Sequence, residues 1–425
     1  MSAIRLHTLP GSDNVTRVEL PNGITVLTRA NPISPSVVIN GSMRGGSELE
    51  TPELLGVADF SASARLRGTE NFAMHTLYAR LEEVGASLGI GSGFHTTSFS
   101  GRALTEDLDL LLELAAEGLR RPIFPEAEIE KLRAQILTSL ALSAQDTGDM
   151  AIDTFDRLLY GDHPLGRSSD GTPETIRAIT RQDLLDFHQR HSGPQGMIVV
   201  IVGGITPEEA VAKVARHLGD WHNPAQILAP PLPPVPPLTA TVREHVKLAG
   251  KSQTDIVLGG AAPDRFSPYF RPAHIGNQIL GVFGMMGRLG QALREDANLA
   301  YSVGSSYGWG LSGPGEWSIA AGVAPEDTEQ ALDLILAEVR RFASTPVSAE
   351  ELADTQNDLI RGLSFSFETN GAVASALRFV EQYGLGLDYY RQLPAQIEAV
   401  TPAQILEVAA AYYDVERIAI ASAGP

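Results

Sequence analysis

The chain contains no cysteine, which excludes disulfides, thiol nucleophiles and cysteine-ligated metals while saying little about compartment. It has no apolar run of the roughly 18 residues that a membrane-spanning helix needs. Its first residues, MSAIRLHTLPGSDN, lack both the apolar core of a secretory signal and the arginine-rich amphipathy of an organelle transit peptide. The expected location is therefore the cytoplasm of a prokaryote. Positive charge is scarce: 32 Lys and Arg stand against 51 Asp and Glu, a formal charge of −19. That balance repels nucleic acid and anionic membranes and favours basic peptides or a basic partner, although solubility alone also accounts for it.

What is present is an ordinary globular composition, 43% hydrophobic and 20% charged over 425 residues, long enough for roughly two to four domains. Between Pro224 and Pro237 seven prolines occur in fourteen residues, a stretch that forms neither helix nor central strand and should run extended. The halves on either side repeat each other in order. Thr105-Glu106-Asp107 opens the amphipathic stretch LDLLLELAAEGLRR, as Pro325-Glu326-Asp327 opens TEQALDLILAEVRRF, 220 residues later. The segment from Pro173 and the segment from Pro394 both pair a helix with an apolar strand, at an offset of 221. Such self-similarity is the sign of an internal duplication. Strands are expected over 23–28, 36–41, 197–202, 255–258 and 418–421, between long helical stretches. The expected fold class is α+β, with two homologous α/β sandwich modules, 1–223 and 241–425, joined by a Pro-rich linker at 224–240.

The ten histidines are scattered. The close pair His188 and His191 lies at i, i+3 near the end of DLLDFHQRH, where imidazoles suit the helix C-terminus. Its repeat positions are Ala409 and Tyr412, so a ligand pair is not expected there. His75 and His95 lack the spacing of a co-ligand, and no metal site is expected in this chain, because catalytic zinc uses three protein ligands.

Residues Gly56 to Thr69 read GVADFSASARLRGT, and Leu55, Val57, Ala58, Phe60, Ala62 and Leu66 give them a helical apolar pattern. This string resembles the zinc helix of the insulinase/pitrilysin-like peptidases, specifically the short-chain branch that includes the mitochondrial processing peptidase, where it reads approximately G-L-A-H-F-L-E-H-M-L-F-K-G-T. Asp59 then stands at the first His ligand, Ala62 at the Glu base and Ser63 at the second His. Two histidines one turn apart hold the metal and the Glu acts as base; an acid, a methyl and a hydroxyl do not replace them. The third ligand, a Glu in the family, falls near Thr138 or Ser139 in KLRAQILTSLALSAQ, which has no acidic residue.

The second half carries QILGVFGMMGRLGQALREDANLAYSVGSSY from Gln278, similar to the family's C-terminal signature L-G-G-G-x-x-S-R-L-x-x-x-L-R-E-x-x-G-L-A-Y-S-V. Arg294 and Tyr301 stand at the family's Arg/Tyr pair, which hydrogen-bonds the substrate carbonyl and the oxyanion; strong donors aimed at developing charge are a large catalytic term. Gly281, Gly284, Met285, Met286 and Gly287 resemble a glycine-rich loop that helps guide substrate, with methionines suited to varied apolar peptides; a flexible helix-entry loop reads equally well. Where the family has an Asn-Ala-type edge strand, this chain has Glu83 to Leu88, although a backbone edge alone can still add a peptide strand.

The resemblance implies a zinc-free subunit of a heterodimeric metallopeptidase. A homologous partner would bring the zinc, and Arg294 and Tyr301 would serve substrate binding and oxyanion stabilisation on short unfolded peptides. The alternative it leaves open is a non-catalytic scaffold or peptide-binding protein like the core proteins of the cytochrome bc1 complex.

Overall fold

The computed structural model describes residues 8–308 and 315–425, apart from the Met286 side chain. Eleven strands among these residues form two sheets. The first contains β1 (Thr16–Glu19), β2 (Thr25–Ala30), β3 (Ser36–Arg44), β4 (Ser87–Ser92), β5 (Thr96–Leu104) and β6 (Ile198–Gly203). The second contains β7 (Val242–Lys247), β8 (Thr254–Ala262), β9 (Ala300–Gly308), β10 (Gly315–Val323) and β11 (Ala419–Gly424). The spatial orders are β1-β2-β6-β3-β5-β4 and β7-β11-β8-β10-β9. Without β1 the two orders correspond strand for strand. Pairing sense agrees as well: β2–β6 and β7–β11 are parallel, and every other corresponding pair is antiparallel.

The late-coming strand of each half is inserted between two earlier strands, β6 between β2 and β3 and β11 between β7 and β8, and its composition follows from that place. β6 reads IVVIVG and every residue is buried. Val199 and Ile201 face a core with Leu77, Leu111, Leu119 and Val214, while Ile198, Val200 and Val202 face Val373, Ala374 and Leu377. A strand covered on both faces loses polar alternation and reads as a continuous apolar run. β11 is equally buried but smaller: Ala419, Ala421 and Ala423 meet Ala151, Phe155 and Leu159.

These contacts reveal an exchange that the linear halves conceal. One compact unit comprises the chain up to Leu140, Ser168–Pro230 and Leu363–Gln392; the other comprises Ala141–Arg167, Pro231–Gly362 and Leu393–Pro425. The helix Thr147–Tyr160, from the first half of the chain, packs on the second sheet. The helix Asn370–Gln382, from the second half, packs on the first. Each sheet thus has its second face covered by a segment from the other half, packed against its inserted apolar strand.

Candidate functional site

The string GVADFSASARLRGT does form a helix, Val57–Ala64, followed by the 3-10 turn Arg65–Arg67. Its buried face is Val57, Ala58, Phe60, Ser61, Ala62 and Ala64, set among Phe124, Ile129, Leu132 and Ile176, with the Arg133 guanidinium 5.3 Å from the Phe60 ring centre. The helix start has no capping side chain of its own, and Gly56 before it takes φ 88°. The carboxylate of Glu50 accepts from the Gly56 N–H at 2.9 Å and the Ala58 N–H at 2.7 Å instead. Burial pushes Glu50 up to about 7, against the opposing effect of these two bonds and with help from Asp59 and Asp170. The motif reading did not single out Glu50, because it acts six and eight residues away through a turn rather than from the N-cap.

Asp59 and Ser63 lie half-buried beside the fully buried Ala62. Burial, then the Asp170 charge, raises the Asp59 pKa above the usual carboxylate range. Thr138 and Ser139 are exposed on the helix Glu126–Ser143, and the Thr138 hydroxyl donates to the Ala134 carbonyl at 2.8 Å. One carboxylate, one methyl and hydroxyls are not a zinc donor set, and no group of three or more His, Asp or Glu suited to a metal occurs among the described residues. His188 and His95 are engaged otherwise. His188 donates from Nε2 to the Leu119 carbonyl at 2.9 Å and is held down to about 3, first by burial and then by Arg65. His95 pairs with Glu48 at 2.7 Å.

In the second unit the chain runs through the helix Phe270–Gly281, the helical segment Phe283–Gly290 and a π-helical turn, Gln291–Asp296. The expected glycine-rich loop is therefore helical but irregular, with Gly284 at φ 53° and Gly287 at φ 64°. Two of its glycines are needed for close approach: a Cβ on Gly281 would stand 2.5 Å from the Ser305 nitrogen, and one on Gly287 would stand 2.5 Å from the Ile279 oxygen. Nothing lies within 4 Å of a Cβ on Gly284, and Met285 is 62% exposed. The side chain of Met286 lies outside the described residues.

Arg294 and Tyr301 come together because the turn between them reverses the chain. Leu293, fully buried, anchors the π-helical turn, the Leu299 N–H donates to the Leu293 carbonyl at 2.8 Å, and Asn298 takes φ 55°. That position carries Gly in the family pattern, and Asn is among the few side chains that tolerate the left-handed region. The Arg294 guanidinium lies 5.7 Å from the Tyr301 ring centre, its Nε 3.6 Å from Glu295. Tyr301, the second residue of β9, is 87% exposed, so its phenol is free to meet a ligand. A second cation, Arg288, was not anticipated from sequence: it forks onto Glu351 at 2.8 and 2.9 Å and holds that carboxyl down to about 2. A pair 63 residues apart has no sequence signal.

Comparison with known proteins bears on the family and the fold. Residues 25–172 match the family model described as Insulinase (Peptidase family M16), and residues 178–359 match that described as Peptidase M16 inactive domain. The chain is 27% identical over 410 residues to an uncharacterized zinc protease of Streptomyces coelicolor, covering 94% of this chain and 87% of the relative. It is 25% identical over 423 residues to the mitochondrial-processing peptidase subunit beta of Bos taurus, covering 96% and 84%. Among solved structures, a peptidase M16 inactive domain from Pseudomonas fluorescens superposes with a TM-score of 0.89 at 24% identity, covering 97% of this chain and 98% of that one. A Helicobacter pylori protease reaches 0.90 at 18% identity, covering 98% and 100%; these two structures speak to the fold. With both family models matched in order along one chain of two equivalent sheets, the protein belongs to the insulinase-like peptidase family M16.

Proposed function

We infer that this chain is the zinc-free subunit of a composite insulinase-like metallopeptidase, in which Arg294 and Tyr301 bind substrate and stabilise the oxyanion while a homologous partner carries the zinc. The observation that carries the reading is the unequal fate of the two motifs. Asp59, Ala62 and Ser63 replace both ligands and the base, whereas Arg294 and Tyr301 remain, 5.7 Å apart from guanidinium carbon to ring centre, with the phenol exposed. An exposed phenol beside a half-buried guanidinium, both held by a buried anchor, suits a ligand supplied from outside the unit. The zinc of the partner supplies Lewis-acid polarisation and an activated water; this chain supplies donors and a surface for short unfolded peptides, including Gly281, Gly284, Met285, Met286 and Gly287. The matching sheets support descent of the two modules from a duplication. In this reading the pair works in the cytoplasm.

The test is reconstitution with a homologue that retains His-x-x-Glu-His. The purified chain should hold no zinc and cleave no peptide, and the mixture should cleave. In that mixture Arg294→Ala or Tyr301→Phe should lower kcat by about 10²–10³-fold, the usual effect of removing one oxyanion donor. Full activity of both variants sinks the reading. An assembly that forms but never cleaves would favour the scaffold alternative.

A further inference from the structure

Beside the start of the exchanged helix Asn370–Gln382, wholly inside the first unit, is a cavity of about 310 Å³, at the lower end of the range of small-ligand sites. Its wall carries Arg29, near the end of β2 and on the same strand face as Leu27, which meets Val373 and Leu377. The side chain is half-buried, and its guanidinium makes one hydrogen bond, from Nη2 to the Thr8 carbonyl at 2.7 Å. Nε and Nη1 have no acceptor among the described residues, yet they keep accessible surface and so remain open donors. No carboxylate pairs with this cation. Asp13, whose charge acts on it, is committed to Arg391. Glu368, also in the cavity wall, is exposed and forms no ion pair among the described residues. Residues 1–7 and 309–314, outside the described set, contain no Asp or Glu. Burial, then the charge of Arg391, holds the Arg29 pKa below its ordinary value. Thr369, Asn370 and Val373 from the helix start line the same cavity, so the positive end of the helix dipole adds to the mismatch rather than relieving it. A charge taken partly out of water without a counter-charge is costly, and an anion brought by a ligand removes that cost. The rest of the lining includes Leu9, Val202 and Phe367, which is apolar.

We propose that this cavity binds a small oxyanion on a short aliphatic body, the anion held by Arg29 and the body lying against Leu9, Val202 and Phe367. The Asn370 N–H, which has no acceptor among the described residues, and the Ser364 hydroxyl in the same wall are further donors. Hydrogen bonds from a guanidinium to a carboxylate or phosphate are of the strong, charge-assisted kind. A short apolar acid and free phosphate share this chemistry, and the apolar wall favours the acid. General electrostatic attraction does not produce such binding, because a chain of formal charge −19 repels anions. Arg294 and Tyr301 belong to the other unit, so the proposal does not rest on the composite-peptidase reading.

Calorimetric titration of the full chain at low ionic strength tests this, with isovalerate, its uncharged isostere isovaleramide and inorganic phosphate as probes. Isovalerate should bind, and isovaleramide should bind at least about tenfold more weakly, the loss expected when a charge-assisted hydrogen bond is removed. Arg29→Gln should weaken isovalerate by a similar factor. Arg29→Lys, which keeps the charge but not the planar fork, should retain part of the affinity. Arg102→Gln, a charge-matched change at an exposed arginine outside the cavity, should leave binding unchanged. Should Arg29→Gln fail to fold, as circular dichroism would show, the comparison of acid with amide on the unsubstituted chain still decides. Binding of isovalerate assigns an organic-acid site, and binding of phosphate alone assigns an inorganic oxyanion site; either upholds the proposal. No binding of either anion overturns it, as does equal binding of acid and amide, or equal weakening by Arg29→Gln and Arg102→Gln.

Discussion

Arg65 sits where the family helix carries a hydrophobic residue, and it is 1% exposed. Its Nη2 donates to the Ser192 hydroxyl at 2.7 Å, while Nε and Nη1 have no partner among the described residues. Burial lowers its pKa to about 9. A charge taken out of water with one neutral partner costs stability. Arg65→Leu is therefore expected to raise stability by about 1–3 kcal/mol, read as an increase in Tm; a lower Tm would contradict this. Asn298 makes the opposite case. Its φ of 55° suits Gly or Asn but not a β-branched residue, so Asn298→Gly should preserve the Arg294–Tyr301 arrangement and Asn298→Val should disrupt it. In the reconstituted peptidase the first variant should keep activity and the second should lose it.

Among elements, the relic zinc helix shows what apolar spacing can and cannot convey. Its buried stripe was readable because Val57, Ala58, Phe60 and Ala62 follow helical periodicity, and the structure builds Val57–Ala64 on that stripe. Its cap was not, because Glu50 reaches the helix start from outside. That cap makes a pH prediction. Glu50 has an ordinary value of 4.5 and is raised to about 7, so the folded state holds a proton that the unfolded state has released. Its contribution is fully present below about 4.5 and is lost as pH rises through about 7. Thermal melts should show Tm falling over that interval, with a smaller fall in Glu50→Gln. Asp156, raised to about 7 by burial and then by Glu316, adds to the slope in the same direction, so Glu50→Gln with Asp156→Asn should flatten it most. A slope unchanged in both variants would contradict the assignment. The glycine-rich segment is the element that pattern misjudged: a run of Gly and Met reads as a loop, yet the chain stays helical there, because Gly281 and Gly287 let it approach Ser305 and Ile279 closely.

For the molecule as a whole, the exchanged helices govern how it can be divided. The proline-rich stretch invites a cut, but residues 1–230 alone would lack Val373, Ala374 and Leu377 against the first sheet, and residues 231–425 alone would lack Phe155 and Leu159 against the second. Leaving such a face bare exposes contiguous apolar surface. Each half expressed alone is therefore expected to aggregate, and co-expression should rescue both, as measured by soluble yield and circular dichroism. A soluble, cooperatively melting half would refute this. The amino-acid sequence was enough for the α+β class, the repeated strand–helix order, the loss of the zinc donors and the persistence of Arg294 and Tyr301, because periodicity, composition and motif spacing are local properties of the chain. The cap supplied by Glu50 depends on a turn that brings its carboxylate back to the helix start, and the partner of each sheet's second face and the ion pair of Arg288 with Glu351 depend on residues tens to hundreds of positions apart. No local pattern encodes those distances; folding sets them, through the burial of apolar faces that the chain cannot cover with its nearest neighbours.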